Sequence, residues 1–313
     1  MRSTNRLTEG ALFLAIFAVL LLVTLYVPVL GLVINLFLAL PFMMFSAKND
    51  RKSSGIFLVG AVFISLIVGT LLSIPLTLAY GLTGIVIGDF IREKKNRVAS
   101  FIAGSLAFLV NLVVQYAIAV AFFKIDFIKE SIQVFKESIE MSVKMLGAVG
   151  QSPNEQLIEQ FEAGVEMIGY LTPSLFVMAS FLIVFLIQLV SFPIIKRFGI
   201  PVVGWRPFRE LQLPKSLLWY YLFSLLASVI FKVDEGSYWF LAIINIAFVL
   251  QLFMILQGLS FIYYFSYQKG LAKAIPVIIT VLVLFIPFLL YIVRILGIID
   301  LGFDLRKRME LKK

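Results

Sequence analysis

Two side-chain amides, Asn111 and Gln115, stand four residues apart inside an uncharged apolar run from Val98 to Phe123. That spacing puts both on one face of a helix. An amide left unbonded in an apolar setting is costly, so the pair must either bond to neighbouring helices or line a wet cavity that holds a polar ligand. The preceding apolar run, Pro75 to Phe90, adds Thr77 and Tyr80. Together Asn111, Gln115, Thr77 and Tyr80 form the candidate ligand cavity. Asn35, Gln188, Asn245, Gln251 and Gln257 are weaker members of the same class.

Ionisable side chains within reach of apolar runs are few: Glu9, Asp89, Arg294 and Asp300, all near run ends, where they reach the interface at small cost. Asp300 and Asp304 are four apart and can pair with Arg294 or Arg306, which describes a structural clasp rather than catalysis. The chain has no histidine and no cysteine. That removes the commonest general base, the commonest transition-metal ligand and all thiolate chemistry. Phosphate-binding loops, zinc motifs, nucleophile elbows and paired intramembrane aspartates are absent from the sequence. The expectation is a protein that is not an enzyme, with no cofactor and no metal site.

Small residues make a second pattern. Ala11 and Ala15 share a face of the first apolar run, and Gly84 and Gly88 form a Gly-x-x-x-Gly pair in line with Thr77 and Gly81. Small side chains let two backbones approach closely in a membrane. These four are candidates for helix packing within the chain or for docking a partner subunit.

The elements that carry these residues are membrane helices. Of 313 residues 61% are hydrophobic, and runs near the roughly twenty residues needed to cross a bilayer recur to the C-terminal end. The pattern predicts an all-α, polytopic transmembrane bundle of about eight to nine spans. The first run, Leu7 to Gly31, is too long for a signal peptide core and is read as a retained span. Spans one to six end near Val27, Phe45, Leu72, Phe90, Phe123 and Ile195. The later apolar runs are Ser216–Phe231, Trp239–Phe265 and Pro276–Val293. Residues 196–215 form a basic loop, and 216–313 hold the last helices and a basic tail.

Residues 124–168 are different, with four lysines against eight acids. Ile128, Ile132, Phe135, Ile139, Val143 and Leu146 follow helical spacing. Gly147 and Gly150 end that helix, and Ser152-Pro153-Asn154-Glu155 restarts one, with Ser152 as cap and Glu155 closing a capping box. The prediction is an external helical hairpin. The net charge of +9 lies mostly in short loops, the footprint of topology and anionic lipid rather than of nucleic acid. The positive-inside rule then puts the N-terminus in the cytoplasm and the hairpin outside.

The opening Leu7-Thr8-Glu9-Gly10-Ala11, with Tyr26-Val27-Pro28, resembles the YybS-like family of bacterial membrane proteins, a domain-of-unknown-function group. Leu296-Gly297-Ile298-Ile299-Asp300, the stretch Phe303 to Arg308 and Gln257-Gly258-Leu259 are similar to that family's later motifs. The family is distantly similar to the S components of energy-coupling factor transporters. That resemblance implies a six-helix S-component-like core over residues 1–195, a place in the bacterial inner membrane, and capture of a small solute. It also implies docking through Ala11 and Ala15 on an energy-coupling transmembrane subunit with ATPases. The alternative is a non-transporting scaffold or regulator that uses the same small-residue faces to bind other membrane proteins.

Overall fold

The computed structural model describes residues 2–148, 154–231 and 234–310, and all regular structure among them is helical. Among the described residues seven stretches are long and apolar enough to cross a bilayer: Arg6–Tyr26, Pro28–Lys48, Arg51–Gly69, Leu71–Arg92, Arg97–Phe123, Thr172–Arg197 and Tyr238–Gln268. The protein is a polytopic helical membrane protein. The difference from eight or nine spans lies in two short apolar helices, Ser216–Ile230 and Ala274–Phe285. At 1.5 Å per residue they reach only about 22 and 18 Å, against roughly 30 Å of hydrocarbon. The second stops where it does because Pro287 forces Ile286 into extended backbone.

The chain divides into two units, residues 1–126 with 176–204 and residues 127–175 with 205–313. The first holds α1 (Arg2–Tyr26), α2 (Pro28–Ile34), α3 (Leu40–Lys48), α4 (Arg51–Gly69), α5 (Ile74–Arg92), α6 (Arg97–Phe123) and most of α9 (Thr172–Arg197). A short 3-10 turn at Asn35–Phe37 joins α2 to α3 within one span. Phe13, Phe17 and Leu21 recur every four residues and are buried on one face of α1. There Phe17 meets Phe42 edge-on at 5.1 Å, Phe42 meets Phe57 at 5.2 Å, and Phe45 stacks on Phe57 at 4.5 Å.

Between α3 and α5 the contact is backbone to backbone. A Cβ on Gly84 would stand 2.7 Å from the Ala39 carbonyl oxygen, and one on Gly88 2.6 Å from that of Met43. The Ser46 hydroxyl donates to the Ile85 carbonyl across the same seam at 3.1 Å. Gly84 and Gly88 are therefore packing residues inside the chain. Lipid tails are as apolar as the side chains, so such close approach, with its dispersion and polar contacts, holds the helices together.

The second unit holds α7 (Phe127–Ala148), α8 (Glu155–Tyr170), α10 (Ser216–Ile230), α11 (Tyr238–Gln268), α12 (Ala274–Phe285), α13 (Pro287–Phe303) and α14 (Leu305–Glu310). The hairpin of α7 and α8 forms as the periodicity predicts. Ile128, Ile132, Ile139 and Val143 are half-buried, whereas Phe135 and Leu146 are exposed. Lys136 pairs with Glu166 at 3.1 Å across it. Gly147 lies inside α7, while Gly150, Ser152 and Pro153 fall outside the described residues. The cap of α8 is Asn154, whose side chain accepts from the Leu157 amide. Asn154 takes the part expected of Ser152, because its own oxygen reaches the first-turn amide. The tightest seam in this unit is α11 against α13, where Gly258 lies on the Val293 carbonyl and Gly297 on that of Met254.

Two glycine substitutions separate packing from propensity. Gly84→Leu should lower stability by at least about 1–3 kcal/mol through overpacking. Gly164→Ala, on α8 with open space at its Cβ, should raise it by roughly 0.5–1 kcal/mol. Thermal unfolding in detergent reads both, and shifts of the same sign would contradict the seam.

Candidate functional site

The four residues of the sequence-derived cavity come to one helix pair. Thr77 is buried and donates to the Ser73 carbonyl one turn back at 3.0 Å. Asn111 donates to the Ala107 carbonyl of its own helix at 2.9 Å, and Gln115 donates across to the Pro75 carbonyl on α5 at 2.8 Å. Tyr80 is buried and meets Phe108 edge-on at 5.7 Å. Thr77 and Asn111 thus serve carbonyls of their own helices, and the Gln115 bond joins α6 to α5. Of the small-residue candidates, Ala11 and Ala15 lie on the exposed face of α1, opposite Phe13 and Phe17.

A cavity of about 290 Å³ lies elsewhere in the first unit, at the link from α5 to α6. It is lined by Lys94, Lys95, Arg97 and Ser100 together with Ile91, Phe192 and the stretch Pro201–Val203. From Arg97 to Asn111 is fourteen residues of helix, about 21 Å, so this cavity and the amide pair are separate places.

Local structure sets the cavity's charge. Asn96 caps α6 by accepting from the Ala99 amide at 2.7 Å, which fixes the helix start beside the cavity. Lys94 closes α5 with φ +51, a left-handed position usually given to glycine or asparagine. Two acids stand on the last turn of α5 and its cap, and both face arginines. Asp89 pairs with Arg92 and with Arg51, and Glu93 pairs with Arg51 at 3.0 Å. No acid lines the cavity, and among the described residues Lys94 and Lys95 form no ion pair. Arg97 lies over the Phe192 ring at 4.3 Å and donates to the Gln188 carbonyl at 3.4 Å.

Beside these cations are buried groups with no protein partner. The Ser100 hydroxyl, on a residue 3% exposed, has no hydrogen bond. The Gln188 side-chain amide and the Ser191 hydroxyl on α9 are fully buried and likewise unbonded. Buried polar groups normally find a partner. The combination of three cations, a helix N-terminus and an unbonded hydroxyl suits an anion. Among the described residues no cluster of three or more acids could hold a metal. Sequence patterning missed this site because its lysines read as loop charges that set topology. Its one legible sign was Ser100, placed a turn into the span.

A second polar network occupies the other unit. Asp300 is fully buried and takes Arg306 at 3.0 Å and Gln257 at 2.6 Å on one carboxylate oxygen. Gln257 also accepts from the Leu213 amide at 3.0 Å. Arg306 donates further to the Arg209 carbonyl at 2.9 Å and the Ser260 hydroxyl at 3.1 Å. The clasp expected of Asp300 and Asp304 is present, with one sorting: Arg306 goes to Asp300, Lys215 to Asp304, and Arg294 to Gln251. The Lys215 hydrogen bond, with smaller help from Lys307 and Arg308, holds the Asp304 carboxyl below its usual range. That exposed pair is intact at neutral pH and loosens only as pH falls through the carboxylate range.

Gln257, Asp300, Asp304 and Arg306 of this network lie in stretches that resemble the YybS-like family, and comparison with known proteins agrees. The model for a predicted membrane protein family, DUF2232, matches residues 15–301. The chain belongs to that family. It is 30% identical to the uncharacterized protein YybS of Bacillus subtilis (strain 168), over 99% of this chain and the whole of that one. No solved structure matches. For a DUF2232 protein the two polar networks have distinct parts: the second has most of its groups bonded internally, whereas the first leaves donors open beside a cavity.

Arg306→Met should destabilise by roughly 3–5 kcal/mol, since it leaves Asp300 charged and buried. Adding Asp300→Leu should recover most of that loss. Denaturant unfolding of the single and double variants checks it, and additive losses would contradict the clasp.

Proposed function

We propose that the protein is a non-enzymatic, multi-pass protein of the bacterial cell membrane that binds a small anionic solute at the basic end of its first unit. The observation that carries this is the cavity whose lysines face no acid while a buried serine hydroxyl beside it lacks a partner. The positive-inside rule supports a cytoplasmic N-terminus and a cytoplasmic cavity, because Lys94, Lys95 and Arg97 lie in one short basic loop and its helix start. Capture or passage of a solute, with docking on an energy-coupling subunit with ATPases, is the finer reading that the sequence resemblance to S components implies.

One observation favours a second reading, a scaffold or regulator that acts by contact with other membrane proteins. Ala11 and Ala15 are exposed on α1, so they are open to a neighbouring helix. The two readings separate in one experiment. Protein purified from its native membrane in mild detergent should carry a small molecule that Lys94→Asn with Lys95→Gln releases. Ala15→Leu should leave the monomer's stability within about 0.5 kcal/mol, as an exposed position, while displacing any subunit that co-purifies. A protein that carries no small molecule but keeps its partners until Ala15→Leu is introduced would replace the solute reading with the scaffold.

A further inference from the structure

We propose that the cavity at the α5–α6 link recognises a phosphoryl group, borne by an anionic amphiphile at the membrane surface or by a soluble phosphate ester. The inference rests on the cavity being a ligand site and goes further by naming the chemistry. A carboxylate brings one negative charge on two oxygens, whereas a phosphoryl group brings up to about two on three. Here Lys94, Lys95 and Arg97 line the cavity with Ser100 at the start of α6, three positive charges where one carboxylate would bring a single negative one. A phosphoryl group spreads its charge over several oxygens and suits lysine as a point charge together with arginine. The two acids nearest in sequence, Asp89 and Glu93, are held by Arg51 and Arg92 and cannot neutralise these lysines.

The rest of the lining is apolar. Ile91, Phe192, Pro201, Val202 and Val203 complete the lining of a space at the small end of ligand pockets. One half of the site therefore binds charge and the other a hydrocarbon or glycerol-like portion. The cavity also lies at span ends, the depth at which lipid phosphates sit, and basic pockets between membrane helices bind such headgroups. Ser100 is the geometric anchor: it is one turn into α6, 3% exposed, on the cavity wall and without a protein partner.

The test uses the full chain in phosphatidylcholine nanodiscs, with and without phosphatidylglycerol, and titration with inorganic phosphate and glycerol 3-phosphate. Native mass spectrometry counts retained lipid, and calorimetry reads the soluble probes. Lys94→Asn with Lys95→Gln should weaken phosphatidylglycerol or phosphate-ester binding roughly thirtyfold. Asparagine also tolerates the left-handed backbone at 94. Ser100→Ala should weaken it roughly tenfold without loss of thermal stability, because it removes an unbonded buried hydroxyl. Lys269→Gln with Lys273→Gln, equal in charge and on the other unit's exposed loop, should leave binding unchanged. Selective retention of phosphatidylglycerol supports the lipid source, and binding of the soluble esters without lipid preference supports the other. Equal weakening by the two lysine pairs, or no binding of any phosphoryl probe by folded protein, overturns the inference. If the native protein then still carries a phosphorus-free anion released by the Lys94/Lys95 variant, the solute reading stands and only the phosphoryl assignment falls.

Discussion

The arrangement of the first unit depends on how Asp89 is held. It sits nearly buried on the last turns of α5, at a depth where a lone carboxylate would be expensive. Arg92 on its own helix and Arg51 at the start of α4 close on it, and Arg92 also donates to the Asn49 carbonyl at the end of α3. One carboxylate thereby ties the ends of three helices. It also removes the local negative charge from the lysines of the following loop. Structural pairing and the open basic cavity are two consequences of one ion cluster.

The same division runs through both units. Where polar groups fasten helices, donors and acceptors are largely matched: Gln257 with Asp300 and Leu213, and Asn245 with Ser174 and Tyr170. Glycine seams do the remaining fastening by backbone contact. Ser100, Gln188 and Ser191 are as deeply buried and yet unmatched, as are the Thr83 and Ser105 hydroxyls, and of these Ser100 lines the cavity. A buried amide with neither its oxygen nor its nitrogen bonded is costly.

Much of the architecture was legible in the chain. Span-length apolar runs, the Gly84/Gly88 seam and the amphipathic hairpin all follow from period and residue size. The Asp300–Arg306 clasp was legible as a set of partners but not as a pairing, because spacing cannot say which arginine a folded turn brings round. Asn111 and Gln115 drew attention as costly amides, but their donors bond to nearby carbonyls, which any helix offers and no pattern reveals. The cavity was hidden for a different reason. Its lysines look like ordinary loop charges until the positions of Arg51 and Arg92 show that the neighbouring acids are already engaged, and that is a long-range fact.

The most direct measurement is an experimental structure of the full chain purified from its native membrane without added phosphate. The account predicts density beside Lys94, Lys95 and Ser100 that the chain itself does not explain, with Asp89 still bound by Arg51 and Arg92. Asp89 or Glu93 turned onto Lys94 and Lys95, with protein side chains filling the space and the Ser100 hydroxyl bonded within the chain, would contradict it.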